Sequence, residues 1–291
     1  MNIGITGASG FIGSSVVDLA LRRGHEVIAF SRSPQRQIPG CTMRPFSLER
    51  PPDVSGCDAV LHLAAETPIG IWTPAKVKRI RESRVLGTRR LAEAFAAAST
   101  PPEVLVSGSA IGFYGDAGEA ALIESSPPGT GFLAETVQGW ESEACAVRNA
   151  RVVLLRTGIV LGNQGGALRL LKLIFRAGLG ARLGDGQQWV SWIHLQDMTA
   201  LALFALENLD LRGPVNGTAP WPVRNETLTR DLARAVHRPA FFVAPAFLLG
   251  LLGGFSRELL DSKRVLPGVA TEHGFPFRFP ELPLALKDLL P

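Results

Sequence analysis

The chain has 291 residues and a formal net charge of +4, with 46% hydrophobic and 19% charged residues. This balance excludes an intrinsically disordered chain, and the length suffices for one large domain or two smaller ones. The three cysteines are widely spaced, which excludes a disulfide-stabilised scaffold and a zinc site. We therefore expect a globular protein of a reducing compartment, without a metal.

The basic balance does not by itself indicate a nucleic-acid partner. The 25 arginines are scattered among carboxylates, only five lysines occur, and no basic run is present. The most apolar stretch, residues 240–255, contains Pro245 and falls short of the roughly 20 residues that cross a bilayer. The first residues lack the pattern of a secretion signal. We expect a cytoplasmic protein, a monomer or homodimer, with no nucleic-acid or membrane partner.

Short apolar runs alternate with helical patterns in the first half of the chain. The runs predict strands at residues 1–6, 26–31, 58–64, 103–107 and 151–155. Helical spacing of apolar residues predicts helices at 10–23, 76–98 and 133–148. Apolar strands without polar alternation, separated by helices, are typical of a parallel sheet covered on both faces. The fold class is therefore predicted as α/β, a Rossmann-type doubly wound parallel sheet.

The pattern changes after Gly162. Residues 168–177 predict a helix, 178–188 are glycine-rich, 189–194 predict a strand, and Asp197 is predicted to cap a helix that runs to about 208. A strand at 214–219 and helices at 227–236 and 245–252 follow. Residues 1–163 with about 189–219 are predicted to form the dinucleotide domain. About 164–188 and 220–291 are predicted to form a smaller, interleaved C-terminal substrate region.

The loop after the first strand has the clearest functional pattern. Gly7, Gly10 and Gly13 are spaced three apart between a buried strand and an amphipathic helix, with Ser9, Phe11 and Ile12 among them. Such glycines permit a tight turn, a close approach of pyrophosphate and close packing of helix on strand. Helix amides then face the phosphates. We predict a nicotinamide dinucleotide site here.

The end of the second strand distinguishes between the two nicotinamide cofactors. An NAD site usually has an acidic residue at this point, whereas this strand ends in Ser31 and Arg32. An arginine fork suits a 2′-phosphate, with the serine as a second donor. NADP(H) is therefore predicted in preference to NAD(H), with Arg32 as a plain surface residue as the alternative.

Further segments in chain order resemble those of the extended short-chain dehydrogenases, the group that includes the nucleotide-sugar epimerases. They are His62-Leu63-Ala64-Ala65, Ser107-Gly108-Ser109, Phe113-Tyr114-Gly115-Asp116, Arg156-Thr157-Gly158 and Trp192-Ile193-His194. The residues from Pro245 to Pro280 resemble the C-terminal domain, of unassigned function, of an atypical epimerase-like subfamily. The resemblance implies further cofactor contacts from Leu63, Ala64, Ala65, Glu66, Arg84 and Ser107.

The chain departs from that family in its catalytic pair. The family uses Tyr-x-x-x-Lys, in which the lysine lowers the tyrosine pKa for proton transfer. Here the single tyrosine, Tyr114, is followed four residues later by Gly118, and no lysine lies between Lys78 and Lys172. The usual proton relay is therefore predicted to be missing.

Several residues are candidates to replace it. Ser109 takes the position of the family's catalytic serine, and Tyr114 follows on the same loop, with a packing role as the alternative. Glu66 and Glu135 are candidate bases, or solvated carboxylates. His194 is read as a structural hydrogen-bonding residue or a catalytic one. Candidate substrate contacts are Trp189, Trp192, Trp221 and Arg264.

Two functions follow from these patterns. The first is an NADP(H)-dependent, epimerase-like oxidoreductase acting on an unknown small-molecule substrate. The alternative is a non-catalytic NADP(H)-binding sensor or protein-interaction module, since the cofactor loop is kept while the catalytic pair is missing.

Overall fold

A seven-stranded parallel sheet forms the centre of the molecule. The computed structural model describes residues 1–250 and 253–290. The strands of the central sheet are β1 (Asn2–Thr6), β2 (Glu26–Ser31), β3 (Cys41–Pro45), β4 (Ala59–His62), β5 (Val104–Ala110), β7 (Arg151–Thr157) and β12 (Gly213–Gly217). The strands of the two-stranded sheets are β6 (Ala121–Leu122), β8 (Ile159–Gly162), β9 (Ala181–Leu183), β10 (Trp189–Val190), β11 (Trp192–His194), β13 (Val223–Arg224), β14 (Phe242–Ala244) and β15 (Arg264–Val265).

Helices connect these strands and cover the central sheet. They are α1 (Phe11–Arg22), α2 (Pro74–Ala97), α3 (Phe132–Cys145), α4 (Gly166–Arg176), α5 (Leu195–Glu207), α6 (Asn225–Ala235), α7 (Ala246–Leu249), α8 (Phe255–Leu260), α9 (Gly268–Glu272) and α10 (Leu282–Leu289). One 3-10 turn, Ile111–Tyr114, follows β5. Within the described residues, no helix is both long and apolar enough to cross a membrane.

The strand order indicates where a ligand would bind, at the carboxyl ends of the central strands. The order is β12-β7-β5-β4-β1-β2-β3, and every neighbouring pair is parallel. The order in which strands are added to the sheet reverses at β1. The strands β2 and β3 extend the sheet on one side of β1, and β4 is the first strand on the other side. In such sheets the ligand lies outside the carboxyl ends of the strands at this reversal. The predicted Rossmann-type fold is confirmed.

Burial explains why the central strands were readable as apolar runs. All four residues of β4 and four of the five in β1 are buried, because helices cover both faces of the sheet. One core on the α1 and α5 side also includes Ala270 and Phe275 from the C-terminal region. A second core joins α4, α6 and α10. The C-terminal region thus has a core of its own and also shares that of the sheet; its division as a substrate region stays a prediction.

The structure differs from the predicted elements in several places. The single strand predicted at 189–194 is two, because β10 pairs antiparallel with β13 whereas β11 pairs parallel with β8. The edge strand β3 was missed, since only part of its surface is buried and its apolar pattern is weak. The helix predicted at 245–252 is described as α7 only to Leu249, and residues 251–252 lie outside the described residues.

Candidate functional site

The loop between β1 and α1 forms a cradle lined by backbone. Gly7 has φ +72°, and a Cβ on it would lie 2.9 Å from the carbonyl carbon of Leu63. The Gly10 amide donates to the Gly7 carbonyl at 2.9 Å and closes the turn. A Cβ on Gly13 would overlap that same carbonyl. Side chains at these positions would therefore displace the backbone, which accounts for the predicted glycine spacing.

The first turn of α1 has amide groups available to an anion. Gly10 is its N-cap residue and supplies no side-chain acceptor, so the first helical N–H groups are not capped. Ser9 and Gly10 are exposed, and Phe11 and Ile12 are half-buried. An uncapped helix start beside a glycine turn is the arrangement that binds a pyrophosphate. The cradle therefore fits a dinucleotide.

The ring of Phe11 connects this loop to the segment after β8. A Cβ on Gly162, Gly165 or Gly166 would come within 2.6–2.7 Å of the ring. These glycines therefore let the chain from the end of β8 to the start of α4 lie directly against Phe11. This contact holds the cofactor loop against the segment that begins the C-terminal half.

A buried polar chain supports the cradle from beneath. His62 Nδ1 lies 2.7 Å from Thr6 Oγ1, and His62 Nε2 lies 3.1 Å from Thr88 Oγ1. Thr6 Oγ1 also accepts hydrogen bonds from the amides of Leu63 and Ala64, at 3.1 Å each. Burial lowers the pKa of His62 to about 4, so the imidazole is neutral at pH 7. The chain fixes the end of β1 to the end of β4.

Arg32 lies exposed at the carboxyl end of β2. Within the described part of the chain its guanidinium has no ion-pair partner. The Ser31 hydroxyl accepts a hydrogen bond from the Ser33 amide at 3.0 Å, which shapes the turn behind it. A guanidinium without an ion-pair partner is free to bind a 2′-phosphate, and this role of Arg32 stays a prediction.

The loop after β4 is held by α2 and carries a group of charges. The Glu66 carboxylate is 2.8 Å from Lys76 Nζ and 3.8 Å from Arg79 Nε. The hydrogen bond from Lys76 holds the pKa of Glu66 below its usual value, which makes this carboxylate a weaker base. Ala64 is half-buried and Ala65 is exposed beside it. The role of Glu66 as a base stays a prediction.

Arg84 is buried behind this loop. Its guanidinium donates to the carbonyls of Glu66 and Ile80, at 2.9 and 3.1 Å, and lies 5.2 Å from the centre of the Trp140 ring. Burial lowers its pKa to about 10. The described contacts position the Glu66 loop, and the predicted phosphate contact stays a prediction.

Ser109 belongs to a buried ionic group at the end of β5. Its hydroxyl donates to Glu141 Oε1 at 2.6 Å, and Arg156 donates to both oxygens of that carboxylate at 2.8 Å. All three side chains are buried. Sequence reasoning identified Ser109 but missed Glu141 and Arg156. The sequence held a signal for each of them. Glu141 is a charge on the apolar face of α3, and Arg156 is a charge within the apolar run of β7.

Tyr114 joins the same group from the following turn. Its hydroxyl donates to Asn216 Oδ1 at 2.7 Å and accepts from Arg156 at 2.9 Å. Burial raises the pKa of the phenol above its usual value, more than the arginine lowers it. Asn216 in turn donates to the Leu266 carbonyl at 2.9 Å, which links β12 to the C-terminal region. The structure brings Ser109 and Tyr114 together, with protein partners for both hydroxyls.

Two other predicted residues are placed differently. Ser107 is fully buried within β5, and its hydroxyl lies 3.1 Å from the Gly108 carbonyl. Glu135 is exposed in the first turn of α3. Their predicted roles stay predictions.

The prediction that Asp197 caps α5 is wrong. His194 is the N-cap residue, and its Nδ1 accepts the Gln196 amide at 3.0 Å. The buried Asp197 carboxylate instead accepts the amides of Arg278 and Phe279, at 3.0 and 2.9 Å. The imidazole also stacks on the Phe279 ring at 3.9 Å. These contacts agree with the structural interpretation of His194.

The aromatic residues proposed as substrate contacts separate into two environments. Trp192 is fully buried in the second core, so it cannot touch a substrate there, and that prediction is wrong. Trp189 lies between Arg224 and Arg264, whose guanidinium carbons are 4.1 and 4.8 Å from its ring centre. Trp221 is 63% exposed. Trp189, Trp221 and Arg264 line one groove of 540 Å³.

Comparison with known proteins agrees with this geometry. Residues 3–216 match the model of the NAD dependent epimerase/dehydratase family, and residues 244–289 match a domain of unknown function, DUF1731. The chain is 35% identical, over all of both chains, to "Epimerase family protein SDR39U1" of Bos taurus. It is 36% identical to "Epimerase family protein SDR39U1 homolog, chloroplastic" of Arabidopsis thaliana, over all of this chain and 87% of the relative.

A solved structure with a cofactor is similar over the whole chain. It is human epimerase family protein SDR39U1 (isoform2), crystallised with NADPH. The TM-score is 0.91 at 31% sequence identity, and the match covers all of this chain and 99% of that one.

Proposed function

The chain belongs to the NAD dependent epimerase/dehydratase family, and from this premise we propose that it is an NADP(H)-binding, epimerase-like oxidoreductase. The observation that carries the proposal is the backbone-lined cradle at Gly7–Gly13 together with Arg32, which lies at the end of the adjacent strand and has no ion-pair partner among residues 1–250 and 253–290. The human relative crystallised with NADPH supports the predicted choice of cofactor.

The residues of the cradle divide the binding task among them. The amides at the start of α1 bind the pyrophosphate, the loop from Leu63 to Glu66 borders the site, and Arg32 with Ser31 binds the 2′-phosphate. When bound, NADP(H) supplies the hydride acceptor or donor for a hydroxyl or carbonyl substrate. The chain performs this role without a Tyr-x-x-x-Lys pair, as its single tyrosine implies.

The cofactor part is tested by titrating NADPH and NADH into the protein and following nucleotide fluorescence. We expect NADPH to bind more tightly, and Arg32→Glu to weaken NADPH at least tenfold while leaving NADH within about threefold, because charge-assisted bonds to phosphate contribute about 1.5–3 kcal/mol. Arg148→Glu, an exposed charge reversal after α3, is the matched control. Failure of both nucleotides to bind would overturn the proposal.

The catalytic part is tested separately on the NADPH-loaded protein. A panel of sugar nucleotides, carbonyl compounds and alcohols is followed by NADPH absorbance and by product analysis for epimerisation. Turnover that is lost in Ser109→Ala or Tyr114→Phe supports catalytic roles for these residues. If both variants retain turnover, Ser109 and Tyr114 serve only in the buried hydrogen-bond network.

One observation favours the second candidate, a non-catalytic NADP(H)-binding sensor or interaction module. The hydroxyls of Ser109 and Tyr114 are both buried and both bonded to protein groups, so neither is free for a substrate in this conformation. Tight NADPH binding with no turnover across the whole panel would support this candidate.

A further inference from the structure

A second groove lies away from the glycine loop, between α6 and β14. Its volume is 690 Å³, within the range of ligand-binding clefts. One wall is the outer face of α6, with Arg230 and Arg234, and Arg238 follows beyond the helix. Phe242 and Val243 of β14 line the opposite side. None of these residues belongs to the cofactor site.

The strand side of the groove exposes a row of large apolar side chains. Phe241 is 86% exposed, Phe242 56% and Val243 48%, in direct succession along the chain. Such rows are uncommon on the surface of a monomer, and where polar residues rim them they mark interaction sites. The row therefore marks a candidate interaction surface.

The backbone of β14 offers a free edge to that partner. β14 pairs with β9 on one side, and the Ala244 carbonyl accepts the Gly184 amide there at 2.9 Å. Because backbone groups alternate in direction along a strand, the N–H and C=O of Val243 point to the other side. Among the described residues no strand pairs with this side. A free edge of this kind accepts an added strand.

The charge around the groove defines the chemistry of the partner. Arg230 and Arg234 share the single carboxylate of Asp231, at 3.2 and 3.6 Å. Arg182 lies 4.0 Å from Glu226, and its buried Nε has no hydrogen-bond partner within the described chain. With Arg238, four guanidinium groups thus face two carboxylates. The excess positive charge favours carboxylates in the partner.

We propose that β14 and its groove dock an extended, acidic segment of a partner protein. The segment adds as a third strand beside β14. Because side chains alternate between the two faces of a strand, its apolar side chains lie against the exposed apolar residue of β14 on one face, and its carboxylates point to Arg230 and Arg234 on the other. A second copy of this chain does not suit the surface, because two such grooves would bring the same excess of positive charge together.

The test uses a fluorescein-labelled peptide of twelve residues in which glutamate and valine alternate, with a lysine–valine peptide as its matched control. We expect saturable binding of the glutamate–valine peptide to the full chain by fluorescence anisotropy, and at least tenfold weaker binding of the lysine–valine peptide. Phosphatidylglycerol vesicles and duplex DNA are titrated in parallel. Equal binding of both peptides, or binding of vesicles or DNA without the acidic peptide, overturns the proposal.

Variants separate the edge from the charges. Val243→Pro removes the one outward N–H of β14 and leaves its pairing to β9 in place. This variant is expected to weaken binding of the peptide at least tenfold, whereas Val243→Ala is expected to retain most of the binding. Arg230→Glu with Arg234→Glu is expected to abolish binding, whereas Arg148→Glu with Arg212→Glu, both exposed elsewhere, is the matched control. Circular dichroism and thermal unfolding check that each variant folds. Unchanged binding in folded Val243→Pro and in the Arg230, Arg234 variant, or concentration-dependent dimers that these changes dissolve, would contradict the proposal.

Discussion

Arg156 holds both carboxylate oxygens of Glu141 at 2.8 Å, and the two side chains are buried together beneath the end of β5. The pair connects β7 to α3, and through the hydroxyls of Ser109 and Tyr114 it extends to β5 and β12. A bidentate pair that also satisfies neighbouring hydroxyls is costly to break, since removal of one partner leaves a buried charge. The network is therefore a structural centre of the molecule, whatever its part in chemistry.

Glu141→Gln is expected to lower the free energy of unfolding by about 3 kcal/mol, because it leaves the Arg156 guanidinium without its carboxylate. Urea denaturation followed by circular dichroism measures the change. Glu143→Gln, two residues later in α3, is the control, since its partner Arg89 is exposed. Equal losses of unfolding free energy in the two variants would show that the buried Arg156–Glu141 pair contributes no more than the exposed pair.

Gly13→Ala is expected to weaken NADPH binding at least tenfold. The added Cβ overlaps the Gly7 carbonyl, so the turn must move away from the position that receives the pyrophosphate. Gly87→Ala in α2 is the matched control, because a Cβ there meets its nearest atom at 3.5 Å, an ordinary contact. The same fluorescence titration measures both variants, and unchanged affinity in Gly13→Ala would place the cofactor elsewhere.

His62 is expected to make stability depend on pH in the acid range. Its folded pKa, about 4, is below its ordinary value of 6.5, so the unfolded chain binds the proton more readily. The folded state therefore has its full stability above pH 6.5, where His62 is neutral in both states. It loses about 3 kcal/mol of its free energy of unfolding as the pH falls towards 4. His62→Gln, which cannot titrate, is expected to show a flatter profile in urea denaturation over this range. Parallel profiles would mean that His62 is protonated in the fold without cost.

Asp197→Ala is expected to release the C-terminal segment from α5. The substitution leaves the amides of Arg278 and Phe279 without their acceptor, at a cost of about 3 kcal/mol for one partly buried and one buried donor. Hydrogen exchange should show faster exchange at these two amides. Gln196→Ala removes only an exposed contact to the Arg278 side chain and serves as the control. Unaltered protection in Asp197→Ala would show that other contacts hold the segment.

Local patterns predicted the cofactor half of this protein closely. The strand at Glu26–Ser31 was predicted to the residue, because a strand buried on both faces leaves an uninterrupted apolar run. The spacing of Gly7, Gly10 and Gly13 predicted the turn, since the requirement for close backbone contact there excludes a Cβ. Absence of an acid after β2 was likewise visible in the letters themselves.

Contacts between distant segments decided the rest. Ser109, Glu141, Arg156 and Asn216 are up to 107 positions apart, and only the sheet order brings them into one hydrogen-bonded group. Asp197 is a residue type that often caps helices, yet in the fold its carboxylate accepts amides that lie 81 and 82 residues later. Side-chain polarity is a local property that a sequence records, whereas the partner of a buried polar group depends on which strands become neighbours, and that is determined by the packing of the whole chain.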